Sequence, residues 1–142
     1  VYYQKLKAVV DYLKSSFEEL SDIQEIGTKL RLAEKNYLFP RIDILPEREV
    51  IREEKIHNGE RLCTFTLRIV PALKSYNEIK GSLDLLKLTG DVYDKIYDKR
   101  RDFIKRGIGD DIYVDTIENH YFKGNNFVLY LSSIMLICEL RF

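Results

Sequence analysis

From Phe127 to Phe142 the chain carries apolar side chains at both parities of an extended strand. Val128, Tyr130, Ile134, Leu136, Cys138 and Leu140 share one face, and Phe127, Leu129, Leu131, Met135 and Ile137 share the other. Successive strand side chains point to opposite sides of a sheet, so a strand apolar on both sides lies inside a sheet or turns its second face to a partner. Upstream, Ile112 to Phe122 reads as its hairpin mate, joined through Lys123-Gly124-Asn125-Asn126.

A second hairpin is expected between Glu47 and Pro71, turning at His57-Asn58-Gly59-Glu60, where Asn-Gly supplies the positive φ angles of a tight turn. Cys63, Phe65, Leu67 and Ile69 share one face of its second arm. The first arm holds Arg48, Glu49, Arg52, Glu53, Glu54 and Lys55, too polar for burial, and is expected to project from the core. Just before it, Pro40 and Pro46 bracket a short strand, Arg41 to Leu45, with Ile42 and Ile44 facing inward, because proline suits strand edges and ends.

Two helices complete the pattern. Tyr3, Leu6, Val10, Leu13, Phe17 and Leu20 recur at helical spacing, so residues 2–20 form an amphipathic helix. Ser75-Tyr76-Asn77-Glu78 matches a capping box, with Ser75 as the cap, and opens a middle helix that Gly81 and Gly90 are expected to interrupt. Its inward face carries Leu85, Leu88 or Thr89, Val92, Ile96 and Phe103, and Gly107 and Gly109 stop it. Residues 21–35 fit either a helical turn or a strand. The fold class that follows is α+β: a mixed, mainly antiparallel sheet flanked by an N-terminal and a middle helix, with a projecting hairpin, in one domain spanning residues 1–142.

The chemistry is sparse. His57 and His120 have no partners at metal-ligand spacing. Asp94, Asp98 and Asp102 share a helical stripe, but Asp102 and Arg106 are spaced as an ion pair, as are Asp91 and Lys95, which fits a solvated face. There is no glycine-rich phosphate loop and no Gly-x-Ser-x-Gly elbow. No catalytic residue, metal site or cofactor is therefore expected, and Cys63 and Cys138 read as packing residues of a reducing cytoplasm. Lysine plus arginine (23) balances aspartate plus glutamate (23), so the whole chain lacks the positive field of a nucleic-acid binder, even though Lys99, Arg100, Arg101, Lys105 and Arg106 cluster. No apolar run approaches the ~18 residues that span a bilayer, and the start lacks the order of a secretory signal. Ten tyrosines supply amphipathic area of the kind enriched at protein interfaces.

Taken together, the helix 2–20, the segment Phe39 to Pro46, the strand Phe65 to Val70, the stretch Asp84-Leu85-Leu86 with Val92 to Asp98, and the closing hairpin resemble the tail terminators, the tail-completion proteins of long-tailed bacteriophages. The resemblance covers nearly the whole chain in element order. It implies a homohexameric ring that caps the tail tube, ends its polymerisation and offers a joining surface to the head connector. The implied partners are further copies of the chain, the tail-tube protein and the head-connector or neck protein, with DNA passing nearby in the channel and no membrane. The implied place is the virion tail, after assembly in the bacterial cytoplasm. Polarity and expected exposure select the contact residues: Arg48, Arg52, Glu53, Glu54, Lys55, His57 and Asn58 on the hairpin 48–62, with Lys74 and Tyr76 in an expected loop 71–80. Two other classes fit the same residues: a small metal-dependent hydrolase or nuclease built on Asp110, Asp111 and His120, and a cytoplasmic adaptor domain.

Overall fold

Extended runs and amphipathic helices assemble in the computed structural model of the chain, which describes residues 1–28, 38–53 and 59–142. In chain order the elements are α1 (Tyr2–Glu18), β1 (Glu25–Gly27), β2 (Arg41–Glu53), β3 (Arg61–Ser75), α2 (Glu78–Lys105), β4 (Asp111–Lys123) and β5 (Val128–Arg141). The strands form one sheet in the order β1-β2-β3-β5-β4, with β1 parallel to β2 and every other pair antiparallel. This is the expected α+β architecture. β5 lies inside the sheet, the first of the two placements its apolar faces allow. The segment that fitted helix or strand contains β1, and residues 29–35 of it lie outside the described residues.

One face of the sheet holds the core. Ile42, Ile44, Phe65, Leu67, Ile69, Ile134, Leu136 and Cys138 point from it into Val9, Leu13 and Phe17 of α1 and Val92, Ile96 and Phe103 of α2. Helix α1 is turned relative to the expected stripe: Tyr3 is exposed, and the buried residues are Val9, Tyr12, Leu13, Ser16 and Phe17. Two polar groups fit that face because they find partners. Ser16 donates to the Tyr12 carbonyl at 2.8 Å, and the Tyr12 hydroxyl donates to Asp102 at 2.8 Å. The opposite face buries a smaller cluster of Val70, Ala72, Leu129 and Leu131, flanked by Phe39, Leu45 and Phe127.

The prolines interrupt less than expected. Pro46 lies within β2, beside a register shift between Pro46 and Arg48, where β2 is already beyond the residues that β1 covers. Edge strands and bulges tolerate proline because no ladder amide is lost there. Pro71 lies within β3, and the β3–β5 ladder passes from Ile69 to Ala72 without pairing the two residues between. The expected loop 71–80 therefore shrinks to Tyr76 and Asn77, since β3 continues to Ser75 and α2 starts at Glu78.

Helix α2 is also uninterrupted. Its cap is Asn77, whose side chain accepts the Lys80 amide at 3.1 Å, while Ser75 accepts the Asn77 amide at 3.2 Å and so braces the cap. Gly81 sits inside the helix because its face meets Tyr130: a Cβ there would come within 2.8 Å of the ring and 2.9 Å of the Ser75 Cβ. Gly107, at φ +70°, ends the helix as the sequence suggests.

Buried charge anchors the short parallel pairing. Arg41 is 2% exposed and Asp43 fully buried, yet both are charged residues of β2. Two guanidinium nitrogens donate to the Asp43 carboxylate at 2.7 and 2.8 Å, and a third donates to Glu25 of β1 at 2.9 Å. Gly27 of β1 leaves room for this cluster, because a Cβ would lie 2.5 Å from the Asp43 carboxylate.

Candidate interaction surface

The expected contact residues fall at two ends of the sheet. Arg48 and Arg52 are exposed on β2, opposite Thr66 and Leu62 of β3, and Glu53 ends that strand. Glu54, Lys55, His57 and Asn58 lie outside the described residues. Lys74 is exposed at the far end of β3, about 25 Å from Thr66 at ~3.3 Å per residue. Its ammonium sits between the rings of Phe39 and Phe127, 4.9 and 4.7 Å from their centroids. Tyr76 follows and is 83% exposed.

The carboxylates that suggested a hydrolytic site are engaged and apart. Asp111 takes two donors from Arg100 at 2.8 and 3.1 Å, and the Ile112 amide at 2.8 Å. The Arg100 bond, chiefly, holds its carboxyl below the ordinary carboxylate range. Asp110 pairs with Arg141 at 3.2 Å. His120 stands on the same strand as Asp111, roughly 30 Å along it by strand rise, facing Glu118 at 3.5 Å. Among the described residues no group of three or more histidines, cysteines or acids is placed to hold a metal ion.

Three members of the basic cluster are likewise drawn into pairs. Lys99 meets Glu19 at 2.6 Å, Arg100 meets Asp111, and Arg106 meets Asp102 at 3.6 Å. Lys99, Glu19, Arg106 and Asp102 border a cleft of about 480 Å³ between α1 and the end of α2, lined also by Tyr12 and Ser16, whose hydroxyls already have partners. The thiols are buried, and burial pushes both Cys63 and Cys138 upward, away from the reactive thiolate. Among the described residues no helix is long and apolar enough to cross a membrane.

What the surface offers instead is apolar. Tyr76, Ile79, Leu83 and Leu86 are 83, 79, 62 and 58% exposed, and Tyr93 is 39% exposed. Tyr76 precedes the cap of α2; from Ile79 onward the spacing alternates between four and three residues, with Gly90 in the place between Leu86 and Tyr93, so Ile79, Leu83, Leu86 and Tyr93 run as one row along α2. Two rows share this helix: Leu85, Thr89, Val92, Ile96 and Phe103 face the sheet, and this one faces water. The sequence pattern contains both, but the inward row alone accounts for a helix on a sheet, which is why the second is missed.

A second open surface is the edge strand. From Asp115 to Lys123 every residue of β4 is exposed, including Ile117, Tyr121 and Phe122, and among the described residues the strand pairs with β5 alone. Its first half is closed off by side chains: the Ile112 amide donates to Asp111 and the Val114 amide to the Tyr97 hydroxyl at 3.1 Å. No protein-family model matches the chain, and no curated protein matches it at a significant level.

Proposed function

We propose that this chain is a structural protein of a phage or prophage tail, assembling as a homohexameric ring that caps the tail tube, stops its growth and presents the head-joining surface. The observation that carries this reading is the exposed apolar row Ile79, Leu83 and Leu86 on α2, with Tyr76 exposed just before its cap. Contiguous apolar surface rimmed by charge marks contact with another protein. A ring also needs two different surfaces on each copy, because a head-to-tail contact closes only by joining unlike patches. The α2 row supplies one, and the charged arm of β2 with Arg48 and Arg52 supplies the other.

In this reading the protein catalyses no reaction. It works by ending a repeating interface: tube subunits add to copies of themselves, and a ring with a different outer face leaves them nothing to add to. Its place is the virion tail, with DNA crossing the channel.

Leu83→Lys with Leu86→Lys tests the reading, because both side chains are exposed and their loss leaves the core intact. The wild-type protein, alone or with tail tubes, is expected to give rings by negative-stain imaging, and the variant none. Rings that persist in the variant at an unchanged melting temperature would sink the role of this row.

A further inference from the structure

We propose that the free edge of β4 pairs with the same edge of a second copy, antiparallel and about a two-fold axis at Asn119. The inference goes beyond the ring reading, since it uses a different surface and makes a closed pair.

An edge strand presents unpaired amides and carbonyls to any extended partner, and most proteins blunt such edges. Here the blunting stops halfway. Side chains take the amides of Ile112 and Val114, and the register shift at Asp115 then begins a run in which every residue to Lys123 is exposed. Along that run the charge pattern is complementary to its own reverse. Centred on Asn119, antiparallel pairing sets Asp115 opposite the partner's Lys123 at both ends, with Glu118 opposite the hydrogen-bonding ring of the partner's His120 and Ile117 opposite the partner's Tyr121. Each of these pairs has matching parity, so both members lie on one face of the joined sheet. By that register Ile117 and Tyr121 extend the face on which α2 lies, since they sit opposite Ile134 and Tyr130 of β5.

The charge complementarity selects the occupant. A parallel copy would stack Asp115 on Asp115 and Lys123 on Lys123, and like charges directly opposite destabilise a pair. An unrelated strand would have no reason to carry the reversed pattern. Within one copy Glu118 already faces His120 at 3.5 Å and Lys123 faces Glu78 at 3.4 Å, with all four side chains exposed enough to exchange partners. The joined edge would make a continuous sheet of ten strands with β4 at its centre, doubling the five of one copy.

The test is a charge swap read by sedimentation equilibrium of the full chain. Asp115→Lys and Lys123→Glu each place like charges at both ends of the pair, and each is expected to weaken self-association about tenfold or more. Mixed together, the two variants pair opposite charges again and are expected to form the heterodimer at wild-type strength. Both positions are exposed, and unchanged circular dichroism and melting confirm folding. Leu83→Lys with Leu86→Lys should leave the pair intact while removing rings, which separates this surface from the ring contact. A wild-type mass that stays at one chain up to millimolar concentration overturns the proposal, as do single variants that associate like the wild type or a mixture that does not recover. Association that survives both swaps but is abolished by adding an unrelated edge-strand peptide also overturns it, in favour of a heterologous partner.

Discussion

The same substitution at two glycines of one helix is expected to change stability in opposite directions. On helix propensity alone, Gly81→Ala and Gly90→Ala each stabilise by about 1 kcal/mol, because alanine loses less backbone freedom on folding. At Gly90 nothing lies within 4 Å of the new Cβ, so that gain is expected in full. At Gly81 the Cβ runs into Tyr130, within 2.8 Å of its Cζ, and lies 2.9 Å from the Ser75 Cβ. The ring is held in place: Tyr130 is 5% exposed, packs with Leu73, Leu85 and Val128, and donates its hydroxyl to the Glu78 carbonyl at 3.0 Å. Overpacking of this kind costs about 1–3 kcal/mol, so the net effect at Gly81 is a loss of roughly 1 kcal/mol. The two variants should then differ by about 2 kcal/mol. With a urea dependence of about 2 kcal/mol/M, their unfolding midpoints should separate by about 1 M, one above the wild type and one below. Two midpoints shifted upward together would refute the close packing of α2 on Tyr130.

Three further outcomes follow from other parts of the fold. Asp43→Ala removes the two-pronged partner of buried Arg41, leaving Glu25 among its contacts, and is expected to cost about 3 kcal/mol, read as a melting temperature roughly 10 °C lower. Thr89→Val deletes one end of a hydroxyl chain from α2 through Ser132 of β5 to Asn119 of β4, each link 2.6 Å, and should cost about 1–2 kcal/mol in urea unfolding. Asp111 is held below the usual carboxyl value by Arg100, so its contribution is present above about pH 4 and is lost as the pH falls through its folded value. Asp111→Asn should therefore be less stable than the wild type at pH 7, with the gap closing in acid; a constant gap from pH 7 to pH 2 would contradict the pairing.

Periodicity carried much of this architecture. The inward residues of α2 follow from spacing, and the two apolar faces of β5 narrowed it to an interior strand or one with a covered second face, of which the strand order shows the first. Local breakers misled where tertiary structure absorbs them. Pro46 and Pro71 looked like strand ends, yet one meets an edge with a bulge and the other a gap in the ladder. Ser75 looked like the cap because Glu78 stands three residues on, but β3 runs to Ser75 and hands the role to Asn77. Arg41 read as an ordinary strand residue because its partner Glu25 belongs to a segment that fitted helix or strand. The open surfaces were the least legible. Ile117, Tyr121 and Phe122 have the composition of a covered strand, and only the strand order places them at an edge.

Solution mass over a concentration series, measured by light scattering with and without tail tubes and followed by negative-stain imaging, tests the assembly claim most directly. A closed ring of six copies with a central pore is expected, formed alone or on the tube end, together with tubes that stop growing once it is bound. A protein that stays below ring mass at every concentration, and leaves tube growth unchanged, would contradict it.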